Sequence, residues 1–299
     1  MGRGRDKLAQ GGAQQVSRRR DLEDHLHALR DISGILRAMK NLALMETQKL
    51  TRFLGTQRRV VESIEAAAAD FFTFYPEAAR RLGKGKPVFL VIGSERGFCG
   101  DYNERLLEGV ERHIQERSQQ SPLLIVVGRK LTVKLEQDPR VKATLPGPAV
   151  AEEVPTALIN LMERLRDLQT SQEPGIHLEF TIVHQSAATE GGRIHVHEPM
   201  RSSRHQSVGF PYPPILNLNP LTFAKDLIDQ HLFSLLYEVF YSSLMAENLR
   251  RFQHMDQAIQ RLEKDMGELV LRRNSLRQEE ITEEIEVIML SAEALKRES

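Results

Sequence analysis

The 299-residue sequence contains no tryptophan and a single cysteine, and only 6% of its residues are aromatic. Cys99 alone cannot form an internal disulfide, so the chain does not require an oxidising compartment. No run approaches the ~18 apolar residues of a transmembrane helix, and no apolar segment near the start is typical of a signal peptide. Lys and Arg number 41, as do Asp and Glu, and this balance excludes a strongly basic nucleic-acid binder. We therefore expect a soluble, intracellular protein.

Proline is missing from both ends of the chain, because all 13 prolines lie between Pro76 and Pro220. A proline in a helix interior costs ~3 kcal/mol, so the flanks are free to form long helices while turns and strands belong in the middle. The first residues carry glycine, glutamine and basic side chains without an apolar face. The sequence predicts a disordered basic extension over 1–17, coiled-coil helices over 18–75 and 218–299, and an α/β domain over 85–214.

Apolar residues in both flanks are spaced by alternating threes and fours, the 3.5-residue repeat of a left-handed coiled coil. In the N-terminal flank the repeat is formed by Ile32, Leu36, Met39, Ala43, Leu50, Phe53, Val60, Ile64, Ala67, Phe71 and Phe74. In the C-terminal flank it is formed by Met245, Leu249, Phe252, Met255, Ile259, Leu262, Met266, Leu269 and Leu276. After a polar stretch it resumes in a shifted phase with Ile281, Ile285, Ile288, Ala292 and Leu295. We expect the two flanks to pair as an antiparallel intramolecular coiled coil; homodimerisation through each repeat is the alternative.

The middle of the chain alternates short apolar runs with helical patterns. Strands are predicted at 88–92, 123–127, 141–145, 176–183 and 193–197, and helices at 102–117 and 151–168. Near-continuous apolar strands separated by helices indicate βαβ units. The fold class is therefore α/β: a long antiparallel coiled coil with a small Rossmann-like domain whose sheet is mainly parallel.

The segment 93–100, Gly-Ser-Glu-Arg-Gly-Phe-Cys-Gly, follows a strand and precedes a helix, which is the setting of a phosphate-binding loop. It matches neither the P-loop nor the dinucleotide fingerprint, and Glu95 adds a negative charge, so a structural turn is the favoured interpretation. Cys99 has no local histidine to activate it as a nucleophile. His195 and His197 would share one strand face, a conceivable metal edge, but no further ligand lies nearby. We predict no catalytic residue, no metal site and no bound cofactor.

Three blocks of the sequence resemble the gamma subunit of F-type ATP synthases. Residues 35–40, Ile-Leu-Arg-Ala-Met-Lys, resemble a segment of that family's N-terminal helix, and 94–103, Ser-Glu-Arg-Gly-Phe-Cys-Gly-Asp-Tyr-Asn, resemble its Ser-Asp-Arg-Gly-Leu-Cys-Gly-Gly-x-Asn block. The third block lies in the C-terminal flank, at 246–251, 277–285 and 291–295. Glu279 and Glu280 replace small residues of the family pattern, which suggests a divergent, alternative bacterial F-type ATPase.

The resemblance implies a central rotor shaft without catalytic residues of its own. Its expected partners are the alpha and beta catalytic subunits, an epsilon subunit and a membrane c-ring, at the cytoplasmic face of a bacterial membrane. Carried over residue by residue, the family pattern assigns partner contacts to Met39, Arg251, Arg277, Gln278, Thr282 and Glu284. A coiled-coil adaptor unconnected with rotation, and a phosphate-using enzyme built on 93–100, are the alternatives.

Overall fold

A computed structural model describes residues 3–80, 85–117, 122–171, 178–187, 193–199 and 212–298, with side chains described from residue 18 onward except at 79–80, 291 and 293–298. The helices are α1 (Arg3–Phe74), α2 (Pro76–Arg80), α3 (Tyr102–Glu116), α4 (Arg129–Lys134), α5 (Val154–Thr170) and α6 (Pro220–Glu298). The strands are β1 (Lys86–Ile92), β2 (Leu123–Val127), β3 (Val141–Leu145), β4 (Leu178–Ser186) and β5 (Arg193–His197). None of the helices in these ranges has the length and apolar character needed to span a bilayer.

The two long helices end and begin where proline dictates. Helix α1 ends at Phe74, so that only Tyr75 separates it from Pro76. Helix α6 begins with Pro220, which has no backbone N–H, but the N–H groups of a first helical turn have no partner within the helix. At its other end α1 is helical from Arg3, so the backbone is continuous through the segment predicted to be a disordered extension. The division of this flank at residue 18 stays a prediction.

The five strands form one sheet in the order β3-β2-β1-β4-β5. Strands β1 to β4 are parallel and β5 runs antiparallel to β4, which confirms the predicted α/β class and mainly parallel sheet. Residues of β1 are buried from Val88 to Ile92 because helices cover both faces of the sheet. The predicted start of the fourth strand at 176 lies outside the described residues.

Chain contacts divide the protein into two compact units, residues 42–254 and residues 1–41 with 255–299. The first unit contains the sheet, and one face of the sheet packs against α5 and the parts of α1 and α6 in this unit. Arg58 of α1 pairs with Glu238 of α6 at 3.3 Å, and Gln57 donates to the carbonyl of Ser234 at 2.9 Å. The α1 and α6 segments of this unit are therefore antiparallel partners.

The second unit consists of α1 and α6 segments alone. Lys40 contacts Asp256 at 2.5 Å, Arg37 contacts Glu263 at 2.5 Å and Arg19 contacts Glu280 at 3.3 Å. Residues further along α6 contact residues nearer the start of α1, so this pair of segments is antiparallel as well. In both units the pairing joins helices of one chain, as the intramolecular coiled coil requires.

The α1 positions turned inward follow a strict heptad that differs from the prediction in half of its members. Leu36, Ala43, Leu50, Ile64 and Phe71 are buried or half-buried, as predicted. The alternate positions lie one residue later than expected: Ser33, Leu54, Val61 and Ala68 are buried, whereas Ile32, Phe53, Val60 and Ala67 are exposed. Adjacent apolar pairs such as Phe53 with Leu54 made either phase possible, and at residue 33 a small serine is buried in place of an isoleucine.

Candidate functional site

The β1 turn, residues 93–100, joins β1 to α3 at the carboxyl end of the parallel strands. Strand β1 has β2 on one side and β4 on the other, so the strand order reverses at β1. Open α/β sheets bind ligands at such a topological switch point. A Cβ on Gly93 would lie 2.5 Å from the Cβ of Leu131, so only glycine fits there. Phe98 and Gly100 adopt positive φ angles of 64° and 60°. The turn is thus tightly built at the position where a related fold would hold a phosphate.

A carboxylate of the chain itself occupies the anion position of the β1 turn. Glu247 of α6 accepts the backbone N–H groups of Glu95 at 3.0 Å and of Arg96 at 3.1 Å. Its side chain is only 3% exposed. Two adjacent N–H groups converging on one carboxylate form the arrangement that loops use to bind phosphate. The structural interpretation of the turn is therefore supported, because these donors are already used.

Arg251, one helical turn after Glu247, pairs with that carboxylate through Nη2. Its Nε donates to the carbonyl of Gly97 at 3.2 Å and its Nη1 donates to the side chain of Asn248 at 2.7 Å. Burial raises the pKa of Glu247, while the guanidinium and the two N–H donors lower it. The contacts of the Glu247–Arg251 pair lie within the chain, whereas the sequence assigned Arg251 to a partner.

Glu95 does not point toward the anion position but joins the ends of three strands. Its Oε2 accepts the N–H of Arg129, after β2, at 3.0 Å and the N–H of Gly147, after β3, at 2.8 Å. Its Oε1 lies 2.8 Å from Nε of Arg129. The negative charge that argued against phosphate in the sequence therefore stabilises the edge of the sheet.

The residues that follow the turn anchor α3 to the same place. Tyr102 is fully buried and its hydroxyl lies 2.9 Å from Oγ of Ser243 on α6. Asn103 accepts the N–H of Ser94 at 3.0 Å and donates to its hydroxyl at 2.8 Å. The block 94–103 that carried the family resemblance is thus used for internal attachment to α6 and within the turn.

Cys99 lies under this turn and is buried, with its Sγ 3.4 Å from Nη2 of Arg251. Burial raises the pKa of its thiol to about 12, and the nearby Glu247 carboxylate adds to the shift. Since the thiolate is the nucleophile, a thiol that stays protonated at neutral pH is unreactive. The geometry gives Cys99 a packing role.

Helix α6 exposes an apolar stripe near its C-terminal end. The inward positions keep a single phase through Leu276, Glu280 and Glu283, which are half-buried. The shifted apolar set therefore does not resume the inter-helix contact, and Ile281, Ile285 and Ile288 are 47%, 52% and 65% exposed. We call these three residues the exposed stripe. Side chains of this kind are available to another protein.

The other predicted partner-contact residues lie on surfaces of the same unit. Arg277, Gln278, Thr282 and Glu284 are exposed on α6, and Met39 is half-buried on α1. The Thr282 hydroxyl donates to the carbonyl of Gln278 at 2.9 Å, an ordinary bond within the helix. The structure therefore gathers four of the six on one stretch of α6, beside the exposed stripe, and buries Arg251 elsewhere.

Glu247 is the residue of the site that sequence reasoning missed. The sequence offers only a carboxylate and an arginine at positions i and i+4, off the face formed by Met245, Leu249 and Phe252, a pattern more typical of an exposed ion pair. Ionic pairs at inward positions of a helix require internal partners, and the N–H groups of the β1 turn are those partners.

The family model described as ATP synthase matches residues 18–295 of the chain. The ATP synthase gamma chain of Acetivibrio thermocellus is 23% identical, over 92% of this chain and 98% of that protein. A central stalk and c-ring structure of the Tetrahymena thermophila mitochondrial ATP synthase has a TM-score of 0.53 and 17% identity, covering 75% of this chain and 99% of the other. A Euglena gracilis mitochondrial ATP synthase structure, comprising OSCP, F1 and c-ring, has a TM-score of 0.59 and 14% identity, with 93% and 95% covered.

Proposed function

The chain belongs to the ATP synthase gamma-chain family, and on that premise we propose that it is the central-stalk subunit of a rotary F-type ATPase. It transmits torque between a membrane ion-translocating ring and a hexamer of alpha and beta subunits. Catalysis belongs to the other subunits, and this chain changes their nucleotide affinities by contacting each catalytic conformer differently. A partner that bound all conformers equally would shift none of them.

One observation supports this proposal above the others: the exposed stripe on α6. Several apolar side chains on one helix face are rarely left this exposed. The inward positions of the same stretch are taken by the charged residues Glu280 and Glu283. A helix pair that keeps charges inside and isoleucines outside is suited to rotate within a surrounding protein. In the proposed assembly that protein is the catalytic hexamer.

We assign the directed polar contacts to Arg277, Gln278, Thr282 and Glu284, with Met39 contributing from α1. Arginine and glutamine reach loop carbonyls and carboxylates in a defined direction, which a sliding apolar surface does not provide. Arg251 acts indirectly: through the Glu247–Arg251 pair it fixes the β1 turn against α6. An epsilon subunit and the c-ring complete the set of proposed partners, at the cytoplasmic face of a bacterial membrane.

The first experiment asks whether the chain assembles. Co-expression with the alpha, beta and epsilon subunits of its own organism, followed by purification through the beta subunit, should yield one copy of this chain per three alpha and three beta. Recovery of the chain only as a homodimer, with no alpha or beta bound, would support the coiled-coil adaptor and contradict the rotor.

The second experiment tests the directed contacts. Replacing Arg277 and Gln278 together with alanine should lower ATP synthesis about tenfold in reconstituted vesicles, equivalent to about 1.4 kcal/mol of lost coupling contact. The matched control replaces Gln257 and Arg261, an exposed glutamine and arginine elsewhere on α6, with alanine. Equal synthesis rates in the two double variants would overturn the assignment.

A phosphate-using enzyme remains the second candidate only if the β1 turn accepts an external anion. Calorimetric titration of the purified chain with ATP, ADP and inorganic phosphate should show no submillimolar binding, because Glu247 uses the N–H groups of Glu95 and Arg96. Submillimolar binding that Arg96→Ala abolishes would overturn the structural interpretation of the turn.

A further inference from the structure

Three histidine rings meet on one face of the sheet edge formed by β4 and β5. His184 lies directly opposite His195 in the antiparallel register, and His197 lies two residue pairs further along, opposite Ile182. The ring centroid of His184 lies 5.7 Å from the ring centroid of His195 and 5.2 Å from that of His197. Sequence reasoning placed His195 and His197 on one face, and His184 completes what we call the histidine cluster.

Hydrogen bonds fix the protonation of the histidine cluster at neutral pH. Nδ1 of His184 lies 3.0 Å from the carbonyl oxygen of Gln185, so Nδ1 carries the proton and donates it. Nε2 of His184 is then an acceptor, and it lies 3.1 Å from Nε2 of His197, which must donate. Nε2 of His195 is buried and has no hydrogen-bond partner among the described residues. One N–H···N bond between neutral rings therefore joins the edge strand β5 to β4.

The groups around the histidine cluster do not favour an added positive charge. Arg58 of α1 and Arg193 of β5 lie close enough to affect the rings electrostatically, as does His231 of α6. Two carboxylates of this region already have partners: Glu238 pairs with Arg58 at 3.3 Å, and Glu65 lies 3.2 Å from Nε2 of His231. A proton added to a ring therefore enters a partly buried site near the guanidinium groups of Arg58 on α1 and Arg193 on β5.

We propose that the histidine cluster makes the attachment of β5 acid-sensitive, so that proton uptake by the rings releases this edge strand from β4. The first added proton places a charge beside the buried ring of His184. A second proton places two N–H groups face to face at Nε2 of His184 and His197, and the bond between the strands is lost. The inference is independent of the rotor proposal, because it concerns the sheet alone.

The pKa directions agree with this geometry. Burial, and next the neighbouring His197, lower the pKa of His184 to about 3. Burial, with His195 and His231, lowers the pKa of His197 to about 4, and burial also lowers the pKa of His195. An open strand returns each ring to the ordinary pKa of about 6.5. The open form then binds more protons than the closed form, so closure is favoured above pH 6.5 and weakens as the pH falls toward about 4.

A metal site is the competing interpretation of three adjacent histidines. The ring planes are nearly parallel, at 17° to 34° from one another, so their lone pairs do not converge on one point. Among the described residues no group of three or more ligands could hold a metal ion. Zinc is nevertheless an arm of the test.

The test is amide hydrogen exchange of the full-length chain between pH 7 and pH 5, followed by mass spectrometry. Exchange of β5 is compared with exchange of β1, which has no histidine and experiences the same change in intrinsic rate. Each histidine that regains its ordinary pKa on opening should lower the protection of β5 relative to β1 by about 25-fold. Equal changes in the two strands would overturn the proposal.

Two substitutions and one measurement with added zinc test the same proposal further. His197→Gln keeps a hydrogen-bonding side chain without a titrating ring, and it should reduce the relative loss at pH 5 by about 25-fold. His25→Gln, an exposed histidine far along α1, should leave the loss unchanged. If His197→Gln retained the full loss, or if zinc raised β5 protection at pH 7 and a chelator reversed it, the acid-sensitive attachment would be wrong.

Discussion

Helices α1 and α6 pair in two different ways along their lengths. In the unit of residues 42–254 their inward positions are mostly apolar, as at Leu50, Leu54, Leu236 and Phe240, and the sheet closes the third side. In the unit of residues 1–41 and 255–299 Leu26, Met255 and Ile259 are buried, but Ser33, Lys40 and Glu280 also take inward positions and several isoleucines face outward. The first segment therefore carries most of the apolar burial, whereas the second leaves apolar side chains exposed.

The comparison predicts its largest effect at the Glu247–Arg251 pair. Glu247→Ala leaves a buried guanidinium and two backbone N–H groups without their acceptor, which should cost about 3–5 kcal/mol of unfolding free energy. Urea titration followed by circular dichroism measures this. The control is Glu263→Ala, which breaks an exposed pair with Arg37 in the other unit and should cost less than about 1 kcal/mol. Similar costs at the two sites would show that burial does not distinguish the units.

The next largest effect is expected in the apolar seam. Leu236 is fully buried between α1, α5 and the sheet, and Leu236→Ala should lower the unfolding free energy by about 2–5 kcal/mol through lost transfer energy and a cavity. Leu271→Ala, an exposed leucine of the same helix, serves as the control and should change it by less than about 0.5 kcal/mol. A cost below 1 kcal/mol for Leu236→Ala would mean that the seam collapses around the gap.

In the exposed stripe we expect a substitution to have little effect on the stability of the free chain and a larger effect on its binding to partners. Ile285→Ser should change the stability of the free chain by less than about 0.5 kcal/mol, because its side chain is already exposed. In the assembled complex it should weaken retention of the chain by about tenfold, since the partner then buries a hydroxyl in place of an apolar group. Competition between wild-type and variant chains for the same catalytic hexamer measures this. Undiminished retention would remove the stripe from the proposed interface.

The smallest effect concerns the exposed ion pairs of the second unit. A double-mutant cycle on Arg37 and Glu263 should give a coupling energy of about 0.2–1 kcal/mol, and 0.5 M salt should reduce it further. Thermal unfolding of the four chains provides the measurement. A coupling above 2 kcal/mol would indicate that this pair, too, is effectively buried.

Some features of the fold followed from local patterns, and others depended on packing that no local pattern encodes. Proline placement and apolar runs predicted the long helices, the strands and the parallel sheet, because these depend on backbone chemistry and period. The heptad phase of α1 was half wrong because Phe53 and Leu54 are both apolar, and only the approach of α6 decides between them. The isoleucines at 281, 285 and 288 continue an apolar repeat, yet their side chains are exposed.

The candidate site, too, has features that the local sequence predicts and features that depend on contacts distant in the sequence. The segment 93–100 was recognisable as a turn at a ligand-binding position, and its rejection as a phosphate site rested on the missing P-loop and dinucleotide patterns and on the charge of Glu95. The structure gives a different physical reason, since Glu95 points to β2 and β3 while Glu247, 152 residues later, takes the anion position. A contact across that separation cannot be found by spacing. Arg251 likewise matched a family position, but only the structure showed that its hydrogen bonds lie within the chain.

Because Glu247 is covalently part of the chain, the β1 turn carries a tethered ligand whose local concentration never changes. A loop that bound free phosphate would tighten and loosen with the metabolic supply of phosphate or nucleotide, whereas a tethered carboxylate keeps the turn occupied at every concentration. The attachment of the α/β domain to α6 is therefore insulated from the very compounds that a rotary ATPase interconverts. The occupancy of the turn is therefore set by the folding of the chain and not by the supply of an external anion.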